Sequence, residues 1–167
     1  MKIMYINGYK ESDKESSTYL WLRDHLPNDE VIQCNWWYDN GIDVKSIAKF
    51  VNDTTPDIIV SSSTGCLIAE SIDVPKVLIN PVIERVNLEE LFENRDFSNL
   101  PERVERCGEF REVIVSNNDE VLDYTKALIE YKNVTLVNDN HRLMNKAIIL
   151  EKLNNLKEFI NSQTQIL

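Results

Sequence analysis

Histidine is scarce in this chain. The 167 residues include only His25 and His141, so any chemistry that needs an imidazole has two candidates. Cysteine is sparse and unpaired: Cys34, Cys66 and Cys107 are odd in number and widely spaced, which excludes a CxxC metal or redox site. Such usage fits a reducing, intracellular compartment, and a cytoplasmic setting is expected. No GxGxxG and no GxxxxGK[ST] stands anywhere in the sequence, so neither common phosphate-cradling loop is present. No apolar run approaches the ~20 residues of a membrane span. The opening Met1-Lys2-Ile3-Met4-Tyr5-Ile6-Asn7-Gly8 has too short an apolar stretch for a secretory signal and reads as a strand ending in a turn. Basic residues are outnumbered, 18 against 28 acidic, for a formal charge of −10. A chain so acidic repels phosphate backbones, so no nucleic-acid partner is expected, and no membrane partner either. The acidic residues are dispersed, as on a solvated surface.

What is present is an alternation. Ile3–Ile6, Val31–Cys34, Asp57–Val60, Lys76–Ile79, Val113–Val115 and Val134–Val137 are short apolar runs that read as strands. Between them lie residues at helical spacing: Tyr19, Leu22 and Leu26; Val44, Ile47, Ala48 and Val51; Leu67 to Glu70; Val121, Tyr124, Leu128 and Tyr131; and finally Ile149, Leu153, Leu156 and Ile160. Continuously apolar strands alternating with helices imply an α/β fold, a parallel sheet of about six strands covered on both faces. The length fits one domain over 1–167. The charged, irregular stretch 85–111 breaks the pattern and reads either as a surface crossover or as a small cap. In such sheets, sites form beyond the carboxyl ends of the strands.

The third strand runs into Val60-Ser61-Ser62-Ser63-Thr64-Gly65-Cys66. A nucleophile elbow is a sharp strand-to-helix turn, and it requires small residues two before and two after the nucleophile. Ser63 has Ser61 and Gly65 there; Ser62 has Val60 and Thr64, Ser61 has the bulky Ile59, and Cys66 has Thr64 and Ile68. Ser63 is therefore the candidate nucleophile. The same small residues would also suit a helix N-cap or an anion nest. A serine needs a base and the base needs an orienting acid. His141 follows the sixth strand in a polar loop, whereas His25 falls within the first amphipathic helix and reads as structural. Asp119 follows the fifth strand, at the expected start of a helix, where an N-cap is the plain alternative. Asp123 lies a turn further in, and Asp139 is too near His141 in sequence for an easy side-chain bond. Ser63, Asp119 and His141 then stand in the Ser…Asp…His order, each after a different strand. The backbone N–H groups of Thr64, just after the nucleophile, and of Tyr9, in the turn Asn7-Gly8-Tyr9-Lys10, are the expected oxyanion donors.

With these residues in view, the chain resembles the small bacterial YqiA-like esterases, a compact branch of the α/β-hydrolase fold. Tyr5-Ile6-Asn7-Gly8-Tyr9 is similar to that family's strand and His-Gly-Phe turn, and Ile59 to Gly65 to its Gly-Ser-Ser-Leu-Gly elbow. Val77-Leu78-Ile79-Asn80-Pro81 is similar to its strand ending in Asn-Pro, and Asn140-His141 to its base loop. Asp119-Glu120-Val121-Leu122-Asp123-Tyr124 is the most specific likeness. The resemblance implies a three-layer sandwich with a reduced cap, Ser63 as nucleophile, Asp119 as acid and His141 as base. It implies hydrolysis of small-molecule acyl esters or thioesters, with no metal or organic cofactor. Asn7 stands where the family has histidine, and Ser61 where it has the first elbow glycine. These departures keep open a catalytically idle hydrolase-fold binding module, and the anion-nest reading keeps open a phosphate- or nucleotide-binding protein.

Overall fold

The computed structural model describes residues 1–9, 16–34, 44–93 and 95–164; Lys10, of the first turn, lies outside them, as does Asn94 in the irregular stretch. The chain alternates throughout: β1 (Lys2–Ile6), α1 (Ser17–His25), β2 (Glu30–Cys34), α2 (Val44–Thr54), β3 (Ile58–Ser62), α3 (Gly65–Ala69), β4 (Lys76–Ile79), α4 (Val86–Leu91), β5 (Arg111–Ser116), α5 (Tyr124–Glu130), β6 (Val134–Val137) and α6 (Ala147–Thr164). The six strands form one sheet in the order β2-β1-β3-β4-β5-β6, and every neighbouring pair is parallel.

Strand side chains alternate between two cores, as the two-residue period of a strand requires. Met4, Ile6, Ile59, Leu78, Val113 and Val115 face one side, where α2 brings Ile47 and Val51 and α3 brings Cys66 to Ala69. Ile3, Tyr5, Ile58, Val60, Val77, Ile79 and Ile114 face the other, against Leu22 of α1 and Ile149, Leu153 and Leu156 of α6. Burial on both faces explains the continuous apolar runs of the central strands. The edges differ: β2 and β6 have only one neighbour each, and their residues are mostly half-exposed. Two expectations shift. β3 runs to Ser62 rather than stopping at Val60, and α5 starts at Tyr124, leaving Val121 and Leu122 in the turn before it.

Among its described residues, the stretch 85–111 carries the short α4, an antiparallel bridge from Arg103 to Glu84, and at its end the first residue of β5. Leu88, Phe97, Leu100 and Val104 anchor it in the core. The bonds of Arg85 to the Ser98 and Leu100 carbonyls fold it back on itself. Among the described residues, no helix is long and apolar enough to cross a membrane.

From β1 the chain moves outward to β2 and then crosses back to β3 on the other side. The strand order therefore reverses between β1 and β3, and a crevice opens at the carboxyl ends of these two strands.

Candidate active site

Ser63 sits one residue past β3 with φ +50°, a left-handed conformation that costs a non-glycine residue roughly 1–2 kcal/mol. The surroundings impose it. Its N–H donates to the Ile79 carbonyl at 2.9 Å, and its own carbonyl accepts from Cys66 (3.1 Å) and Val82 (3.2 Å). The turn into α3 also passes close to β1: a Cβ at position 65 would lie 2.6 Å from the carbonyl oxygens of both Ile6 and Asn7. Gly65 is thus required by the approach of β1. Ser61 is fully buried and gives its hydroxyl to the Cys66 sulfur at 3.3 Å.

The three consecutive serines are separated by their partners. Ser61 is spent on Cys66, and Ser62 shares a 2.7 Å bond with the Tyr5 hydroxyl. Ser63 Oγ faces the imidazole, 3.1 Å from His141 Nε2. His141 Nδ1 lies 2.7 Å from Asp119 Oδ2. An acceptor at Nδ1 puts the ring proton there and leaves Nε2 able to accept from Ser63, an assignment made from the bonding partners. The Asp119 side chain is 2% exposed and the His141 side chain 16%. The other oxygen of Asp119 accepts from the N–H groups of Val121 and Leu122, both at 2.8 Å, so the carboxylate is fixed in place.

Asp119 does not start the helix, as the sequence suggested; Asp123 does, accepting from Thr125 N at 3.0 Å. A six-residue turn between β5 and Asp123 frees Asp119 to face the imidazole. His25 packs on Trp21 and bonds that residue's carbonyl at 2.8 Å, within its own helix. Burial pushes the Cys66 thiol up to about 12, so it stays protonated and inert.

The loop carrying His141 is held at several points. Leu143, at φ +50°, is buried in the core beneath it. Asp139 accepts from the N–H groups of Asn140 (2.7 Å) and Asn145 (2.8 Å) and makes no bond to the imidazole. The His141 N–H donates to Glu120 at 3.1 Å, and this bond holds the Glu120 carboxyl below its usual range. Sequence reasoning missed Asn80 as a functional residue and saw only the end of β4. It is buried, at φ +44°. Its amide donates to the His141 carbonyl (2.8 Å) and to Ser116 Oγ (3.0 Å), while its oxygen accepts from Ser116 N (2.7 Å). Asparagine tolerates the left-handed region better than most residues, and that preference at a strand end was the available signal.

Of the expected oxyanion donors, the Thr64 N–H donates to no group among the described residues. Tyr9 follows Gly8, where a Cβ would stand 3.1 Å from Ser63 Cβ, so the β1 turn lies directly against the serine. The Tyr9 ring packs edge-on against Phe92 and Phe97. Ser63, His141, Thr64 and Tyr9 line a cavity of about 670 Å³, walled on its apolar side by Leu88 and Phe92 of the 85–111 stretch. Leu91 of the same stretch also lines the cavity. Among the described residues, no cluster of three His, Cys, Asp or Glu side chains could hold a metal ion.

Solved structures share this architecture. The chain superposes on a provisionally assigned hydrolase of the alpha/beta superfamily from Xanthomonas campestris pv. campestris with a TM-score of 0.69, at 13% identity, over 96% of this chain and 97% of that one. The ydeN gene product of B. subtilis matches with a TM-score of 0.68 at 16% identity, over 94% and 98% of the two chains. A provisionally assigned hydrolase from Agrobacterium vitis S4 gives 0.62 at 17%, over 96% and 87%. The fold is one found among α/β hydrolases. No protein-family model matches the sequence, and no curated protein matches it either.

Proposed function

We propose that the protein is a single-domain serine hydrolase with a reduced cap, cleaving small carboxylic esters or thioesters. One observation carries the reading: a serine held at φ +50° between a strand and a helix, 3.1 Å from an imidazole whose far nitrogen bonds an anchored carboxylate. In this reading His141 Nε2 takes the Ser63 proton as Oγ attacks the substrate carbonyl carbon. The Thr64 and Tyr9 N–H groups stabilise the oxyanion. Collapse breaks the bond to the alcohol or thiol, which leaves with the proton from His141. Water, deprotonated by the same nitrogen, then attacks the acyl-Ser63 ester, and the carboxylic acid departs as Ser63 regains its proton. Asp119 holds the Nδ1–H tautomer and stabilises the imidazolium. The likeness to YqiA-like esterases supports the choice of esters, and the three free thiols support a cytoplasmic setting.

The test is a fluorophosphonate probe, with the adduct located by peptide mass spectrometry. The expected adduct is on Ser63, with labelling and ester hydrolysis both lost in Ser63→Ala and both retained in Ser62→Ala and His25→Ala. An adduct on Ser62 or Cys66, or full hydrolysis by Ser63→Ala, would overturn the assignment. Phosphate-dependent thermal stabilisation without labelling would favour an anion-binding protein instead.

A further inference from the structure

A second cavity, of about 250 Å³, adjoins the first. The two share Leu91, Val121 and Leu122 as lining residues, so these side chains form the wall between them. Pro81, Val82 and Ile83, which follow β4, line the second cavity, with Val82 and Ile83 almost fully buried. Most of its polar lining is already engaged by the protein. Asp123 accepts from Thr125, and Asn87, with its amide turned to satisfy both neighbours, accepts from Lys126 Nζ at 2.7 Å and donates to the Glu84 carbonyl at 3.2 Å. Glu90, exposed, stands at the opening. The apolar surface this space offers a ligand comes from Leu91, Val121 and Leu122, beside the polar Asn87, Glu90, Asp123 and Lys126. Leu91 is 43% exposed, so its side chain is free to move where the two cavities meet.

We infer that the second cavity is a subsite for the far end of a hydrocarbon chain of the ester, with Leu91 and Leu122 as the partition that limits chain length. This rests on the serine-esterase reading of Ser63. Short chains fit the first cavity alone. A longer chain gains apolar contact with Val82 and Ile83 only by displacing the partition, and truncating the partition removes that obstacle. The chain can belong to the acyl group or to the alcohol, so two ester series separate the sources: one varies the acyl chain on a fixed phenol, the other varies the alcohol on a fixed acetyl group.

In Leu91→Ala and Leu122→Ala, the kcat/KM ratio of the eight-carbon to the four-carbon ester is expected to rise about tenfold in one series, whereas Leu91→Trp lowers it. The series that responds identifies which chain enters. A readout independent of catalysis uses the Ser63→Ala protein: octanoate or octanol should shift the Val82 and Ile83 methyl resonances, and butyrate should not. If the wild type cleaves esters while both ratios change by less than about twofold across the folded variants and the methyls stay still, the subsite is wrong. If no ester is cleaved yet the methyls respond, the hydrolase reading falls and the apolar subsite stands.

Discussion

Asn80 supports the candidate base without touching a substrate. Its one amide joins the end of β5 to the His141 carbonyl, so its loss should move the imidazole rather than empty the cavity. Asn80→Ala is expected to lower kcat about 10–100-fold with little change in KM, the size of effect that a displacement of ~1 Å produces. Asn80→Gly separates the two properties of this residue. Glycine accepts φ +44° without strain, so melting temperature should recover relative to alanine while the rate stays low. Equal rates for wild type and Asn80→Gly would show that the backbone conformation alone matters. At this scale the sequence was legible where a rule concerned neighbours in the chain. The flanks of Ser63 are such a case, although the contact behind Gly65 is with Ile6 and Asn7, far away in sequence. Asn80 was illegible because its partners lie 36 and 61 residues downstream.

Among the elements, the loop after β6 is the most consequential. Burial acts to raise the Asp139 pKa, but the backbone N–H groups of Asn145 and Asn140 outweigh it and hold the carboxyl below its ordinary value of 3.8. A depressed carboxylate contributes stability above its unfolded value and loses it as pH falls through the folded one. The loop should therefore stay closed down to the ordinary carboxylate range and loosen only below it. Amide hydrogen exchange at Asn140 and Asn145 would report this, and Asp139→Asn should show faster exchange there already at neutral pH. Protection unchanged in that variant would assign the loop's order to its other ties, the buried Leu143 and the bonds of His141 to Asn80 and Glu120. All six strands could be read from the sequence because burial on both faces, or on one face at the edges, leaves an apolar run. The start of α5 could not: Asp119 and Asp123 are equally plausible caps by type, and only the turn after β5 decides between them.

Across the whole molecule the two ends of the sheet are specialised. The carboxyl ends carry the serine, imidazole and carboxylate; the amino ends of β4 and β5 bury a charge cluster. Lys76 is 1% exposed, and its Nζ donates to the Ile72 and Cys107 carbonyls at 2.6 and 2.8 Å, with Glu70 at 3.7 Å. Arg111 flanks the same carboxylate at 3.2 Å. Burial draws the Lys76 pKa down, while Glu70 works in the opposite direction. Lys76→Met leaves the Ile72 carbonyl without this donor and Glu70 with Arg111 as its remaining cation, so it should cost about 3 kcal/mol. For a chain of this length, that corresponds to a fall of roughly 6–12 °C in melting temperature. Below the transition, the rate per folded molecule should match wild type, because the cluster lies at the opposite end of the sheet from Ser63. A rate that fell with stability intact would couple the two ends.

The left-handed backbone at Ser63 bears on how such a chain would change if hydrolysis ceased to matter. Alanine at that position keeps the Cβ and with it the steric penalty, whereas glycine sheds it, so Ser63→Gly should be more stable than Ser63→Ala by about 1 kcal/mol. Paired denaturant titrations of the two inactive variants would measure the difference. Under drift, a protein that merely binds would be drawn toward glycine here, and a serine kept at φ +50° is a local optimum only while its hydroxyl is in use.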